Sequence, residues 1–234
     1  MTTTAPVQLD PAVSSGPGRV RVAAGALAAS AATVAVLLAT TPWGDRLDSS
    51  SDEVLSYDKL LEVRDAAWSS MVLDSFAYAV IGLTLGLGVL HLARSRGRVA
   101  ALVGAVLTTV GGILFAMGGA AFATVVWFIT ADGLSEGAGR SLVDYANDHL
   151  GHLMGLDMAG FLLTTIGSLV LAAALIRARA VPVPAVVVYI LLTLAQFTGL
   201  PGRAMDFLQI AMMVLLIGFA AVVWSRAQTA GRNG

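Results

Sequence analysis

The chain has no cysteine, a single lysine, and little charge of either sign. Without cysteine there are no disulfides, thiolate metal sites, cysteine nucleophiles or iron–sulfur clusters. Charged residues make up 12% of the chain, against roughly 25% in soluble domains. So little charge does not cover a water-facing surface, so lipid is the solvent for most of this chain. The net charge of -1 supplies no basic stripe and argues against a nucleic-acid partner. Lys59 is the only lysine among 14 Lys and Arg. With the excess of Ala, Val and Gly, this reads as the coding bias of a GC-rich bacterium and carries no functional weight. With only three histidines, haem is disfavoured. His91 is expected at one membrane face, as a snorkelling or hydrogen-bonded residue, and His149 and His152 at the other; a bis-His haem needs two rings at one depth.

What the chain does have is long apolar runs: 57% of its residues are hydrophobic and the mean hydropathy is +0.81. About 20 apolar residues cross a hydrocarbon core of roughly 30 Å. Six uncharged runs meet that length, lying between Arg21 and Asp45, Asp74 and Arg94, Arg98 and Asp132, Asp157 and Arg177, Arg179 and Arg203, and Asp206 and Arg226. Backbone groups in lipid must be satisfied within their own segment, so each run is expected to be a helix. The expected fold is an all-α polytopic bundle, with spans at about 22-42, 71-93, 99-128, 158-176, 183-200 and 206-225. The third run is read as one long, tilted or projecting helix, because two spans and a turn do not fit in it. Gly104, Gly111, Gly112, Gly118 and Gly119 mark it for close helix packing. The first run is read as a retained anchor, since no A-x-A-type cleavage site follows it. Residues 1-18 and 227-234 are expected to be polar tails, the first disordered.

Loop charge orients the bundle. An even span number puts both termini on one face, which collects nine arginines (Arg19, Arg21, Arg94, Arg96, Arg98, Arg177, Arg179, Arg226 and Arg232) against Asp10. The opposite face holds the other fourteen acids. Cytoplasmic loops carry the Lys/Arg excess, so the expectation is N-in and C-in, in a bacterial plasma membrane. The outer loops are then 43-70 and 129-157. In the first, Val54 to Trp68 is patterned as a helix that either lies on the interface or extends the second span, the competing reading being a solvated connector. Trp43 and Trp68 are candidate interfacial anchors. Pro201-Gly202 predicts a tight turn between the last two spans.

Candidate chemistry lies in two places. Asp74, three residues inside Met71 where the second span is expected to begin, is the sharpest single residue, since an intramembrane carboxylate is a functional-site hypothesis by default; the competing reading is an interface position, with the span starting after it. Gln196 in span five, with Gln209 and Asp206 in span six, joins it as a candidate ligand or ion path. Asp144, Asp148, His149 and His152 form the second group. On an unbroken helix Asp144, Asp148 and His152 fall within about 80° of arc, with His149 about 60° beyond. Carboxylate and imidazole four apart can share a divalent cation, although Gly151 and Gly155 weaken the helix. The competing reading is an acidic amphipathic helix in the headgroup region. No cofactor is otherwise expected.

The chain resembles bacterial six-span membrane proteins of unknown function, including the group known as domain of unknown function 4386. The resemblance is carried by size, span number and the arginine-led first span, Arg21-Val22-Ala23-Ala24-Gly25. It implies membrane location and no activity. Three function classes follow from the residues. The first is a binding or transport protein with an acidic outer vestibule of Asp74, Asp144, Asp148, His149, His152 and Asp206. The second is an accessory subunit that packs on other membrane proteins, or on itself, through glycine-rich helices. The third is a membrane enzyme with a metal held by Asp148, His149 and His152.

Overall fold

The computed structural model describes residues 17–41, 55–93, 96–200 and 202–232. Arg94, Trp43 with the acids before Val54, and Pro201 lie outside the described residues. The chain is an all-α bundle of a multi-span membrane protein, with no strand among the described residues. Among the described residues seven α-helices follow in order: α1 Pro17–Thr40, α2 Tyr57–Leu92, α3 Arg98–Ile129, α4 Glu136–Asp148, α5 Leu150–Ala178, α6 Val183–Ala195 and α7 Arg203–Arg232. A 3₁₀ turn, Gln196–Thr198, continues α6. Five helices (α1, α2, α3, α5 and α7) are long and apolar enough to cross a membrane. The sixth expected span is a shorter apolar helix, Val183–Thr198 with its 3₁₀ turn.

Helix direction alternates through the bundle. Val20 and Ala24 of α1 pack with Val223 and Ala227 of α7, so both terminal segments share one end, here the terminal end. At the other end, Leu55, Tyr57 and Leu60 pack with Phe122, Val126 and Ile129 of α3 and Val143 of α4. This is the α4 end. In lateral order α3 lies between α2 and α5, α1 between α2 and α7, and α6 between α5 and α7.

Small residues determine how closely these helices approach. One face of α3 turns Gly104, Gly111 and Gly118 toward α5, where they meet Gly167 with Leu171, Gly160 with Thr164, and Asp157. The neighbouring face turns Ala105, Gly112 and Gly119 toward α2, where they meet Gly86, Gly82 with Tyr78, and Ser75. Thr108, between the two faces, donates to the Gly82 carbonyl at 3.0 Å. A seven-residue repeat of small side chains lets two backbones touch along several turns, which is how helices associate where lipid supplies no hydrophobic drive. The rest of α3 is apolar all round: Val99, Leu102, Val106, Val110, Ile113 and Phe128 are exposed, as on a lipid-facing surface. Gly97 caps α3 with φ 87°, and a Cβ there would lie 2.9 Å from the Ala174 carbonyl, so glycine is required for both reasons.

The α4 end is more organised than a solvated connector. At 36 residues α2 is about 54 Å long, well beyond a ~30 Å core. Its first turns project to meet α4. Ser135 caps α4 by accepting from the Ala138 amide, with Glu136 in the first turn. Asn147 grips the backbone of Leu55 in both directions, accepting from its N–H and donating to its carbonyl, each at 2.9 Å. Arg140 bonds Asp58 at 2.6 Å and Glu136 at 2.9 Å, and lies over the Tyr57 ring. Arg64 reaches the Thr130 carbonyl at 2.9 Å and Asp132 at 2.7 Å. The hydrogen bond from Arg64 holds the Asp132 carboxyl below its usual value.

Candidate functional site

A cavity of about 160 Å³ lies among α2, α3, α5, α6 and α7, toward the α4 end. It brings together three of the four residues expected on a ligand path: Asp74 from α2, Gln196 from the 3₁₀ turn and Gln209 from α7. The helices place them by simple geometry. Asp74 lies six residues beyond Trp68, where the apolar stretch of α2 starts, about 9 Å along the helix. Tyr78 is one turn deeper on the same face, and its ring packs on Phe115 with centroids 4.9 Å apart. Gln196 is held where α6 tightens into its 3₁₀ turn. Its amide reaches the Thr193 carbonyl at 3.5 Å and the Met212 sulfur at 3.3 Å. Phe197 packs on Phe161 of α5 and anchors the turn there.

The polar groups here are not satisfied in the ordinary way. Oδ1 of Asp74 and Oγ1 of Thr164 are both removed from solvent and have no hydrogen-bond partner. Buried polar atoms are nearly always paired, and a lone buried carboxylate oxygen costs more than most. Asp157, at the level of Gly118, lies near enough to Asp74 for the two carboxylates to repel. Among the described residues neither makes an ion pair with Lys, Arg or His. The cavity therefore offers a buried carboxyl oxygen and a buried hydroxyl, both without partners, and a second acid beside them. It suits a cation, or a small molecule presenting N–H or O–H groups.

The fourth expected path residue behaves differently. Asp206 is buried in the first turn of α7 but does not line this cavity. The sequence reading also passed over Tyr78, Thr164, Ser168, Tyr189 and Asp157, all at or beside the site. Asp157 carried a usable signal, a carboxylate at the start of an apolar run. The hydroxyl residues carried none, because Thr and Ser occur throughout these helices bonded to their own preceding turn, as Thr84 and Ser75 do here.

The expected metal cluster does not assemble. Its arc assumed one helix through Asp144, Asp148 and His152, but α4 stops at Asp148 and α5 starts at Leu150. His149 sits in the break at φ -125°, and only its ring and that of His152 stay close, with centroids 6.1 Å apart. Its ring stacks on Tyr145 at 4.1 Å, and Nδ1 is 2.9 Å from the Tyr145 carbonyl. Asp144, Asp148, His149 and His152 are all exposed. Among the described residues no three His, Asp or Glu side chains converge as metal ligands. None of these four lines the Asp74 cavity, so the outer acids and histidines do not extend it into a vestibule. The glycines of α3, expected to pack within the bundle and offered secondarily to a partner protein, face this chain's own α2 and α5.

No protein-family model matches the chain, and neither a curated protein nor a solved structure matches it.

Proposed function

We propose that this chain is a membrane-embedded binding or transport protein, and that its ligand, a small cation or a compact hydrogen-bond donor, sits in the cavity beside Asp74. The observation that carries the reading is the Asp74 Oδ1 atom, enclosed and without a partner in a cavity that also holds two amides. An intramembrane carboxylate facing a bundle interior is the usual mark of an ion or substrate path.

The topology belongs to the same proposal: six crossings with both termini cytoplasmic. Arginine gathered at the terminal end supports the orientation. Helix α6 with its 3₁₀ turn runs from Pro182 at the terminal end back to Phe161, about 25 Å by its rise. That supports a short sixth crossing. Likeness to the domain of unknown function 4386 group, on size and span number, fits the proposal and adds no activity to it.

The test uses purified protein in nanodiscs, heated with Na⁺, K⁺, methylammonium, ethanolamine or choline. At least one probe is expected to raise the melting temperature of the wild type and to leave Asp74→Asn unmoved. Flux of that probe in proteoliposomes then separates transport from binding. If no probe shifts the wild type, or the shift persists in Asp74→Asn, the reading fails.

A further inference from the structure

A second site opens at the opposite end of the bundle from Asp74; its inner cavity shares Leu85, Ser168, Tyr189 and Leu216 with the Asp74 cavity, but its arginines do not line that cavity. Here an open crevice of about 950 Å³ separates the α2–α3 turn from the α5–α6 turn. Its rim carries Arg96, Arg177 and Arg179, all exposed, and none of the three makes an ion pair among the described residues. Arg179 ends α5 at φ 50°, a left-handed position that glycine usually fills. Its amide and that of Ala180 close on the carbonyls of Ile176 and Leu175. This sharp reversal buries Ala180 in the core and keeps Arg177 and Arg179 together on the rim.

The floor of the crevice is apolar. Val181 and Pro182 line both it and a second cavity, of about 310 Å³, that runs toward the bundle centre among α2, α5, α6 and α7. Leu171, Leu175, Val186 and Phe219 line that cavity, and its only side chains with N or O atoms are Ser168 and Tyr189. At ~30 Å³ for each water-sized group it has room for roughly ten chain atoms. Val214 and Gly218 of its α7 wall are exposed, so this wall reaches the lipid-facing surface.

Three unpaired guanidinium groups that share a wall with a lipid-accessible hydrocarbon slot match one molecule in both parts. We infer that the terminal end of the bundle holds an anionic glycerophospholipid, its headgroup phosphate on Arg96, Arg177 and Arg179 and one acyl chain in the cavity between α6 and α7. Arginine forks suit phosphate oxygens, and basic pockets between membrane helices select anionic headgroups. A soluble phosphate would explain the arginines but leave the apolar cavity without an occupant.

The test is native mass spectrometry of the full chain, titrated with dioleoyl phosphatidylglycerol or dioleoyl phosphatidylcholine. Wild type is expected to retain the phosphatidylglycerol at least tenfold more strongly. Arg96→Gln/Arg177→Gln is expected to abolish that preference, weakening phosphatidylglycerol by about 25-fold, at roughly fivefold for each arginine. Gly218→Phe tests the chain half separately. A Cβ at Gly218 has no atom within 4 Å, so a bulky side chain starts there, on the wall of the slot, without a clash at its root while every arginine stays. It is expected to weaken dioleoyl phosphatidylglycerol at least fivefold. Melting temperatures within a few degrees of wild type confirm that both variants fold. Equal retention of the two lipids overturns the inference, as does preference surviving the arginine changes. Unchanged binding in Gly218→Phe, or full competition by inorganic phosphate or dihexanoyl phosphatidylglycerol, overturns it too, leaving a bare anion site.

Discussion

Gly111→Ala adds one methyl group at the closest approach of α3 and α5. The new Cβ would lie 2.5 Å from the Thr164 amide nitrogen and 2.8 Å from the Gly160 carbonyl oxygen. Both are backbone atoms and have no rotamer to escape into. Ordinary contact needs about 3.5 Å or more, so the helices must separate by roughly 1 Å along a seam that also contains Gly104 and Gly118. Overpacking of this kind costs about 1–3 kcal/mol, against the ~0.5–1 kcal/mol that alanine gains over glycine within a helix. The net expectation is a loss of roughly 1–2 kcal/mol. Gly218→Ala is the matched control, because its Cβ meets nothing within 4 Å. Only the helical gain remains there, so stability should rise by about 0.5–1 kcal/mol. The two variants are chemically identical and should differ in sign. Steric-trap unfolding in bilayer-like discs measures both on one scale. Equal effects, or a stable Gly111→Ala, would refute the claim that the glycine face of α3 is used within this chain. Gly160→Ala probes the same contact from α5 and should combine with Gly111→Ala non-additively.

Further expectations concern the polar groups. Asp74→Asn replaces a buried carboxyl group, one oxygen of which has no partner, so the variant should fold with stability equal to or above wild type; a marked drop in melting temperature would make Asp74 a structural residue. Asn147→Leu deletes both hydrogen bonds to Leu55, at a local cost of about 1–3 kcal/mol. Hydrogen exchange should quicken through residues 55–63 and α4 while α3 and α5 keep their protection. Asp132 sits below its usual value because Arg64 donates to it. Its pairing therefore contributes above the unfolded carboxylate value of about 4 and is lost as pH falls through the lower folded value. Exchange at the α3–α4 turn should rise modestly below pH 4 in wild type and be flat there in Asp132→Asn. A modest effect is expected because Asp132 is exposed and surface pairs are weak.

Residue order alone determined that the chain is a polytopic helical membrane protein. Apolar runs in a chain this poor in charge leave the backbone no other way to satisfy its hydrogen bonds in lipid. It also marked Asp74, Gln196 and Gln209 as costly at membrane depth, because that cost is a property of the residue and its run. Pairing was not legible. Gln196 and Asp74 are more than a hundred positions apart, and only the ring order α2–α3–α5–α6–α7 brings them to one cavity. Sequence arithmetic failed most clearly at His149. A 100° step per residue holds only inside a continuous helix, and the helix breaks at His149, so among the described residues no three of the expected ligands converge. The glycines of α3 were visible as packing signals, but their partner was not, because a small residue invites any backbone that fits. The tertiary structure chose α2 and α5, since Gly82, Gly86, Gly160 and Gly167 on those helices offer matching gaps at matching heights.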